Sequence, residues 1–217
     1  MSNNVIQFVR LRNINESLAT ENATLRNELS QFGQRPDSLK YDSIRHYNFV
    51  SARVINNSVD LRNNLITLNV GSLQGIKKDM GVIGNGSVIG KTRYVSENFT
   101  VVTSLLHAES MIPARIKNKV NICTVQWDGT DPYSVDLLYV PRHYSLENGD
   151  TVLTSGYSGI FPEDVQIGTI SSIELSEDAL FFDIKVKLAT DFYKIAFVEV
   201  VENVERIETD SLENMVK

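Results

Sequence analysis

The segment FDIKVKL, residues 182–188, alternates apolar and charged side chains without interruption. This period of two places the apolar residues on one face of an extended strand and the charges on the other. The segment LITLNV, residues 65–70, repeats the pattern with Ile66, Leu68 and Val70 on its apolar face. A strand with one apolar and one polar face is typical of an antiparallel sheet packed on a single side. The two segments therefore predict a half-buried antiparallel β structure.

Short apolar runs of the same kind fill most of the chain after residue 40, from ARVIN at 52–56 to KIAFVEVV at 194–201. Turn-forming pairs separate several of these runs, namely Asn85-Gly86, Asp128-Gly129 and Asn148-Gly149. About twelve strands without an intervening helix predict two small β-barrels or sandwiches. The expected fold class is therefore mostly β, preceded by an N-terminal α-helix.

The N-terminal residues 5–32 contain neither Pro nor Gly and predict that helix, which GQRPDS, residues 33–38, would end. Its apolar residues recur in heptads, which is typical of a coiled coil, although glutamates interrupt one of the two apolar positions. We expect a parallel coiled coil between two copies of the chain. Its interface residues would be Leu11, Ile14, Leu18, Leu25 and Phe32. The alternative is a helix packed on its own globular domain.

The composition limits the classes of partner. The chain has 217 residues, a net charge of −6 and a pI of about 5.1. An acidic chain repels phosphate backbones, so we expect no nucleic-acid partner. The single cysteine, Cys123, excludes an internal disulfide and is expected to be buried in a strand. No apolar run reaches the roughly 20 residues that cross a bilayer, and no signal peptide opens the chain.

The segment TSGYSGIFPE, residues 154–163, places Ser158 in a glycine-rich turn, where nucleophilic serines are often found. A trypsin-like hydrolase would also need a histidine base and a buried acid that orients it. The candidates in chain order are His107, then Asp128, Asp131 or Asp136.

The residues that flank this serine favour a different role. Tyr157 precedes Ser158 where a trypsin-like enzyme has an acid, and Ile160 stands where a hydrolase elbow requires glycine. We therefore expect the Ser158 hydroxyl to bond to local backbone and the protein not to be an enzyme. A serine hydrolase remains an alternative.

No motif predicts a cofactor or a metal. The segment NGSVIGKT, residues 85–92, lacks the first glycine and the following helix of a phosphate-binding loop, and is better explained as a hairpin turn. The three histidines lie far apart and there is no cysteine pair. A peptidoglycan-binding module is a second alternative, in which Trp127 and tyrosines would stack on sugars, although a tryptophan at a strand end is more often part of the core.

Four longer segments together resemble a known family. They are GIKKDMGVIGNGSVIGK (75–91), TVVTSLLHAESMIPARIK (100–117), VQWDG (125–129) and PRHYSLENGDTVLTSGYSGIFPEDVQIGTI (141–170). Over residues 40–200 the chain is similar to MreC, a bacterial cell-shape protein, and within that family to the members from Bacteroidetes.

The resemblance implies a coiled coil and two β-barrels that together resemble a chymotrypsin-like fold without a working triad. We expect the coiled coil in residues 1–35, the first barrel in 41–135, the second barrel in 136–203 and a flexible acidic tail in 204–217. Whether the barrels are sequential or interleaved stays open.

The resemblance also implies a function. A protein of this kind is a non-catalytic periplasmic scaffold of the elongation machinery, tethered to the inner membrane by a helix absent from this chain. It would self-associate as a dimer or further, and bind and activate the class B penicillin-binding transpeptidase. RodA, MreD and MreB are the other implied partners. We expect partner contacts at Tyr157, Ile160, Phe161 and Pro162, unless Tyr157 and Phe161 fill the mouth of a barrel.

Overall fold

The computed structural model of the chain describes residues 2–32, 47–175 and 180–206, with side chains except at residues 2–12, 30–32 and 121. A helix, α1 (Ser2–Phe32), precedes twelve β-strands in this part of the chain. The predicted fold class, a helix followed by β structure, is confirmed. Among the described helices, none has the length and apolar character needed to traverse a membrane. The expected helix end at 33–38 and most of the expected tail lie outside the described residues.

Six antiparallel strands form the first barrel. They are β1 (Tyr47–Asn57), β2 (Asn63–Leu68), β3 (Gly81–Gly84), β4 (Ser87–Val95), β5 (Thr100–His107) and β12 (Phe197–Asn203). Their order is β4-β3-β12-β1-β2-β5, and β5 pairs with β4 to close the barrel. The alternation predicted for the second strand is confirmed, because Ile66 and Leu68 are fully buried in the barrel core.

Six further strands form the second barrel. They are β6 (Met111–Ile116), β7 (Val120–Gln126), β8 (Ser134–Leu138), β9 (Thr151–Thr154), β10 (Gln166–Glu174) and β11 (Asp183–Leu188). Their order is β11-β8-β7-β6-β9-β10, and β10 pairs with β11 to close the barrel. In the strictly alternating segment, Ile184 and Val186 point into the core while Asp183 and Lys187 are exposed.

The division between the barrels differs from the expected one. The boundary at residues 135 and 136 falls inside β8, whose partners β7 and β11 both belong to the second barrel. The strand pairing instead separates the barrels between β5 and β6. After the second barrel the chain returns to the first, where β12 pairs with β1 from Tyr47↔Asn203 to Arg53↔Phe197. The first barrel is thus assembled from two distant parts of the chain.

A glycine lies where each barrel closes. A Cβ atom on Gly90 of β4 would come within 2.2 Å of the Thr103 carbonyl oxygen on β5. A Cβ atom on Gly168 of β10 would come within 2.1 Å of the Lys187 carbonyl oxygen on β11. These distances are far inside van der Waals contact, so each closing pair of strands leaves no room for a side chain at that point.

The hairpin between β3 and β4 turns on two residues with positive φ, Asn85 at 51° and Gly86 at 78°. This conformation is that of a type I′ turn, which the right-handed twist of paired strands favours. Residues 87–92 continue into β4 and not into a helix. The segment at residues 85–92, whose sequence resembles a phosphate-binding loop, therefore forms a hairpin turn and the start of β4, as predicted.

Cys123 is buried on β7, and burial raises the pKa of its thiol to about 12. A thiol needs its thiolate form to react, so we expect the native protein to react with Ellman's reagent at pH 8 at least about 100-fold more slowly than the protein unfolded in guanidinium. Rapid reaction of the native protein, with no loss of its circular dichroism spectrum, would contradict the placement of Cys123.

Candidate functional site at the junction of the barrels

The connection from β9 to β10, residues 155–165, lies against both barrels and is named here the junction loop. Thr154 closes its base, because the Thr154 hydroxyl donates to the Pro162 carbonyl at 2.6 Å and the Thr154 amide donates to the Val165 carbonyl at 2.8 Å. Gly156 and Gly159 have φ angles of 71° and 63°, a region that favours glycine. These two glycines shape the backbone of the loop.

The junction loop belongs to the second barrel by sequence but is held on the first. The Tyr47 hydroxyl donates to the Phe161 carbonyl at 3.0 Å, and the Asn203 side-chain amide donates to the Gly159 carbonyl at 3.0 Å. Tyr47 and Asn203 face each other across β1 and β12. A Cβ atom on Gly81 of β3 would lie 2.7 Å from the Ile160 carbonyl oxygen, so the loop backbone packs directly on that strand. The loop therefore fixes the two barrels relative to each other.

The four residues expected at a partner contact differ in their exposure to solvent. Phe161 and Pro162 are buried, and Phe161 belongs to the hydrophobic core. Ile160 is half-buried, and Tyr157 stands at the tip of the loop with 79% of its surface exposed. Phe161 thus packs within the protein, whereas Tyr157 and, in part, Ile160 remain accessible to a partner. The partner contact itself stays a prediction.

Ser158 and His107 line the same cleft between the barrels, but the geometry is not that of a triad. The Ser158 hydroxyl accepts a long hydrogen bond, 3.4 Å, from the Ile160 amide, and His107 Nδ1 accepts from the Glu109 amide at 3.2 Å. Among the hydrogen bonds of the described residues, none joins His107 to Ser158 or to a candidate aspartate. Two of those aspartates, Asp128 and Asp136, instead form ion pairs with Lys185.

Among the described residues, no base forms a hydrogen bond with the Ser158 hydroxyl, which is the contact that activates a nucleophilic serine. We expect a fluorophosphonate probe to label the native protein only at background level, and Ser158→Ala to leave that level unchanged. Trypsin in the same assay provides the positive control. Labelling above background that disappears in Ser158→Ala would establish the alternative of a serine hydrolase.

The other residues considered for sugar or metal binding do not form a binding site in the described part of the chain. Trp127 is buried, and its indole N–H donates to the Asp131 carbonyl at 2.8 Å, so it offers no face for sugar stacking. Within the described ranges, no three His, Cys, Asp or Glu side chains are grouped so that they could hold a metal ion.

The apolar stripe of α1 is exposed to solvent. Ile14, Leu18 and Leu25 each keep between 45% and 50% of their surface accessible, and Leu29 extends the same stripe. Leu11 and Phe32, the other two residues predicted at the coiled-coil interface, lie outside the described side chains. A surface helix that exposes four large apolar residues along one face has an apolar face that no other part of the described chain covers.

The opposite face of α1 packs on the first barrel, which the heptad pattern did not reveal. Ala23 is buried there, and the Asn27 side chain pairs with the backbone of Phe49 on β1, accepting at 2.7 Å and donating at 2.9 Å. Arg26 forms an ion pair with the nearly buried Glu199 on β12. At about 100° per residue, Ala23 and Asn27 point away from Leu18 and Leu25. Both alternatives left open from the sequence can therefore coexist on one helix.

An exposed aromatic pair on the second barrel also escaped the sequence analysis. Tyr139 and Phe181 meet edge to face with ring centroids 6.3 Å apart, beside the exposed Leu180. Tyr139 has a φ of 65°, which is uncommon for a residue other than glycine. No sequence signal marks the pair, because Tyr139 lies within the apolar run at 137–140 and Phe181 within the one at 180–182, like many core residues.

Comparison with known proteins identifies a family whose members match this chain in sequence and fold. Residues 54–202 match the family of rod shape-determining protein MreC, described as its barrel core. The cell shape-determining protein MreC of Listeria monocytogenes is 27% identical over 190 residues, which are 84% of this chain and 64% of that protein. The MreC of Bacillus subtilis is 29% identical over 196 residues, which are 86% of this chain and 64% of that protein. The chain thus spans less than two thirds of the length of these relatives.

Solved structures agree on the fold. A structure of MreC from Listeria monocytogenes superposes with a TM-score of 0.67 at 24% identity, covering 92% of each chain. A complex between the penicillin-binding protein PBP2 and MreC from Helicobacter pylori has a TM-score of 0.55 at 20% identity, covering 72% of this chain and 99% of that one. Since the family match covers more than half of the residues, including strands from both barrels, this chain belongs to the MreC family of rod shape-determining proteins.

Proposed function

We propose that this protein is a non-catalytic periplasmic scaffold that self-associates through α1 and binds a penicillin-binding transpeptidase to control cell shape. The observation that carries the proposal is the family match over residues 54–202, which includes the junction loop and most of both barrels. The relatives are named as cell shape-determining proteins and not as enzymes.

The geometry of α1 supports the self-association. Its docked face orients the helix on the barrel, while its stripe of Ile14, Leu18, Leu25 and Leu29 faces solvent. A parallel partner helix would cover this stripe by knobs-into-holes packing, as heptad spacing favours. The polar interruptions at Glu21 and Glu28 would keep the association weaker than that of a continuous apolar seam.

The H. pylori complex supports a transpeptidase as the partner, since that MreC is bound to a penicillin-binding protein. For this chain we assign the contact to the exposed part of the junction loop, Tyr157 with Ile160. An exposed tyrosine on a loop that both barrels hold in place presents a large contact area at little cost in conformational entropy. Activation of the enzyme, links to RodA, MreD and MreB, and anchoring in the inner membrane complete the proposed role.

The test is a binding measurement between this protein and the class B penicillin-binding protein of the same organism. We expect specific binding, and Tyr157→Ala should weaken it by about tenfold or more, the loss typical of an exposed aromatic anchor. The matched control is Tyr139→Ala, which removes another exposed tyrosine from the second barrel and should leave the affinity unchanged.

Two results would count against the proposal. If the two purified proteins fail to bind at micromolar concentration, the transpeptidase is not a direct partner. If Tyr139→Ala weakens binding and Tyr157→Ala does not, the contact lies on the aromatic pair of the second barrel and the assignment to the junction loop is wrong.

A further inference from the structure

The second barrel has a distal end, on the side away from the junction loop, where β10 finishes. This strand begins beside the junction loop at Gln166 and ends at Glu174, so at about 3.3 Å per residue roughly 25 Å separate its two ends. Large apolar side chains are exposed at the distal end, where Tyr139, Leu180 and Phe181 keep 58%, 73% and 44% of their surface accessible. Neighbouring apolar side chains that stay exposed on a soluble protein mark an interaction surface.

The backbone holds the two exposed rings of this end in place. Tyr139 follows the last residue of β8 with a φ of 65°, a conformation that persists only where the surrounding structure fixes it. Pro141 forms an isolated antiparallel bridge with Phe181, and the Phe182 amide donates to the Val140 carbonyl at 2.9 Å. These contacts carry the two segments side by side past the end of β8. The edge-to-face pair of Tyr139 and Phe181 is therefore presented to solvent on a fixed backbone.

Two carboxylates lie opposite each other beside the rings. Glu174 on β10 is paired in register with Asp183 on β11, and both are exposed. Like charges directly opposite each other across two strands are unfavourable. The nearest cation on the same face of β11, Lys185, is already engaged by Asp128 at 2.8 Å and by Asp136 at 2.7 Å. Among the described residues no ion pair reaches Glu174 or Asp183, so a cation that neutralises them must come from outside this part of the chain.

The rings and the carboxylates form one surface, named here the distal patch and made of Tyr139, Glu174, Leu180, Phe181 and Asp183. Phe181 and Asp183 are two residues apart in an extended segment, so their side chains point to the same side. A group that matches this surface carries a positive charge and an apolar neighbour. Arginine suits it better than lysine, because the planar guanidinium pairs with carboxylates through two hydrogen bonds and stacks on aromatic rings.

We propose that the distal patch is a docking site for an arginine-bearing segment of a partner protein, in which an aromatic or aliphatic residue adjoins the arginine. The guanidinium donates to the carboxylates of Glu174 and Asp183 and removes their mutual repulsion. The adjoining apolar side chain packs on Leu180 and on the rings of Tyr139 and Phe181. Tyrosine and arginine are residues on which binding energy often concentrates at protein interfaces.

Charge complementarity identifies the partner as a different protein. The chain has a net charge of −6, so a second copy brings an acidic surface to an acidic patch. The proposal also goes beyond transpeptidase binding, which is assigned to the junction loop at the other end of β10. The two proposals can therefore fail separately, since a peptide that occupies the distal patch requires no transpeptidase.

The experiment is an NMR titration of the full chain, labelled with ¹⁵N, with the peptide N-acetyl-Ala-Arg-Phe-Arg-Phe amide. Its counterpart carries citrulline in place of both arginines, which keeps the shape of the side chain and removes the charge. We expect the arginine peptide to bind with a Kd of about 1 mM or tighter and to shift the amide signals of Tyr139, Phe181 and Asp183. The citrulline peptide should bind at least about tenfold more weakly, because it leaves the two carboxylates opposed.

Substitutions test the carboxylates. Glu174→Gln with Asp183→Asn should weaken binding of the arginine peptide about tenfold. The matched control is Glu97→Gln with Glu109→Gln, which removes two exposed carboxylates outside the distal patch and should leave the Kd unchanged. Equal weakening in the control would show that the net charge of the protein attracts the peptide.

Two further variants separate binding from folding. Asp183→Lys places a cation opposite Glu174, so it should raise the urea midpoint of unfolding and abolish binding of the arginine peptide. Phe181→Ala should weaken that binding about tenfold, whereas Phe99→Ala, which removes a ring that is 50% exposed on the first barrel, should not. Loss of binding in a variant that is more stable than the natural sequence cannot come from unfolding.

Three results would overturn the proposal. The first is the absence of shifts at the distal patch with the arginine peptide at several millimolar. The second is equal binding of the citrulline peptide, or undiminished binding by Asp183→Lys, since either would show that the carboxylates do not hold the arginine. The third is a change in sedimentation, without peptide binding, in the Phe181→Ala variant, which would make the patch a contact between copies of this chain.

Discussion

Gly168→Ala is expected to lower the free energy of unfolding by at least about 3 kcal/mol, and to prevent the second barrel from closing if the strands cannot separate. The added methyl group would meet the Lys187 carbonyl oxygen at 2.1 Å and a Val186 methyl group at 2.8 Å. Both contacts lie on β11, the strand that closes the barrel, so relief requires a break in the ladder between β10 and β11. Urea unfolding followed by circular dichroism measures the loss.

Gly75→Ala is the control for this glycine. Gly75 has a φ of 82°, but nothing lies within 4 Å of the position that its Cβ atom would take. That substitution tests backbone strain without steric overlap and should cost only about 1 kcal/mol. Equal losses for the two variants would mean that loss of glycine flexibility, and not the close approach of β10 and β11, determines the stability at Gly168.

The double substitution Leu18→Asp with Leu25→Asp is expected to convert a self-associated protein into a monomer. Each aspartate would place a charge in the apolar seam, and burial of an unpaired carboxylate costs several kcal/mol. Because Ala23 and Asn27 lie on the other face, the contacts between α1 and the first barrel should survive. Sedimentation velocity measures the assembly state, and circular dichroism confirms that the helix and the barrels remain folded.

Thr20→Asp with Thr24→Asp is the matched control on the same helix. Both threonines are exposed, and their hydroxyls bond to backbone carbonyls one turn earlier. These substitutions add the same two charges away from the apolar stripe and should leave self-association intact. Loss of assembly in this control would indicate that net charge, and not the seam, governs association.

Much of the fold follows from local patterns. Alternation in residues 65–70 and 182–188 identifies strands because a side chain in a strand can face only the core or the solvent. Positive φ at Asn85 and Gly86 follows from the residue types that a type I′ turn requires. The assignment of strands to barrels does not follow in this way. The pairing between Tyr47 and Asn203 joins residues far apart in the chain. Nothing in the sequence of β8 indicates which barrel this strand joins.

The candidate site was predictable in outline only. The glycine-framed segment at 154–163 was identified from sequence, but the burial of Phe161 depends on Gly81 and Tyr47, which lie far away in the chain. Likewise the heptads of α1 indicated its exposed stripe, whereas its contact with the barrel depends on Asn27 meeting the strand backbone at Phe49. Contacts of this kind have no period in the sequence, because they depend on how separate elements meet.

The return of β12 to the first barrel also determines the order in which the two barrels can close when the chain emerges from its N-terminus. Residues 111–188 contain the six described strands of the second barrel, so that barrel can close before the C-terminal residues are available. The first barrel must wait for residues 197–203, although its first five strands are made earlier. Until then the unpaired edges of β1 and β3 are open to other chains, which makes rapid completion of the last strand a protection against aggregation.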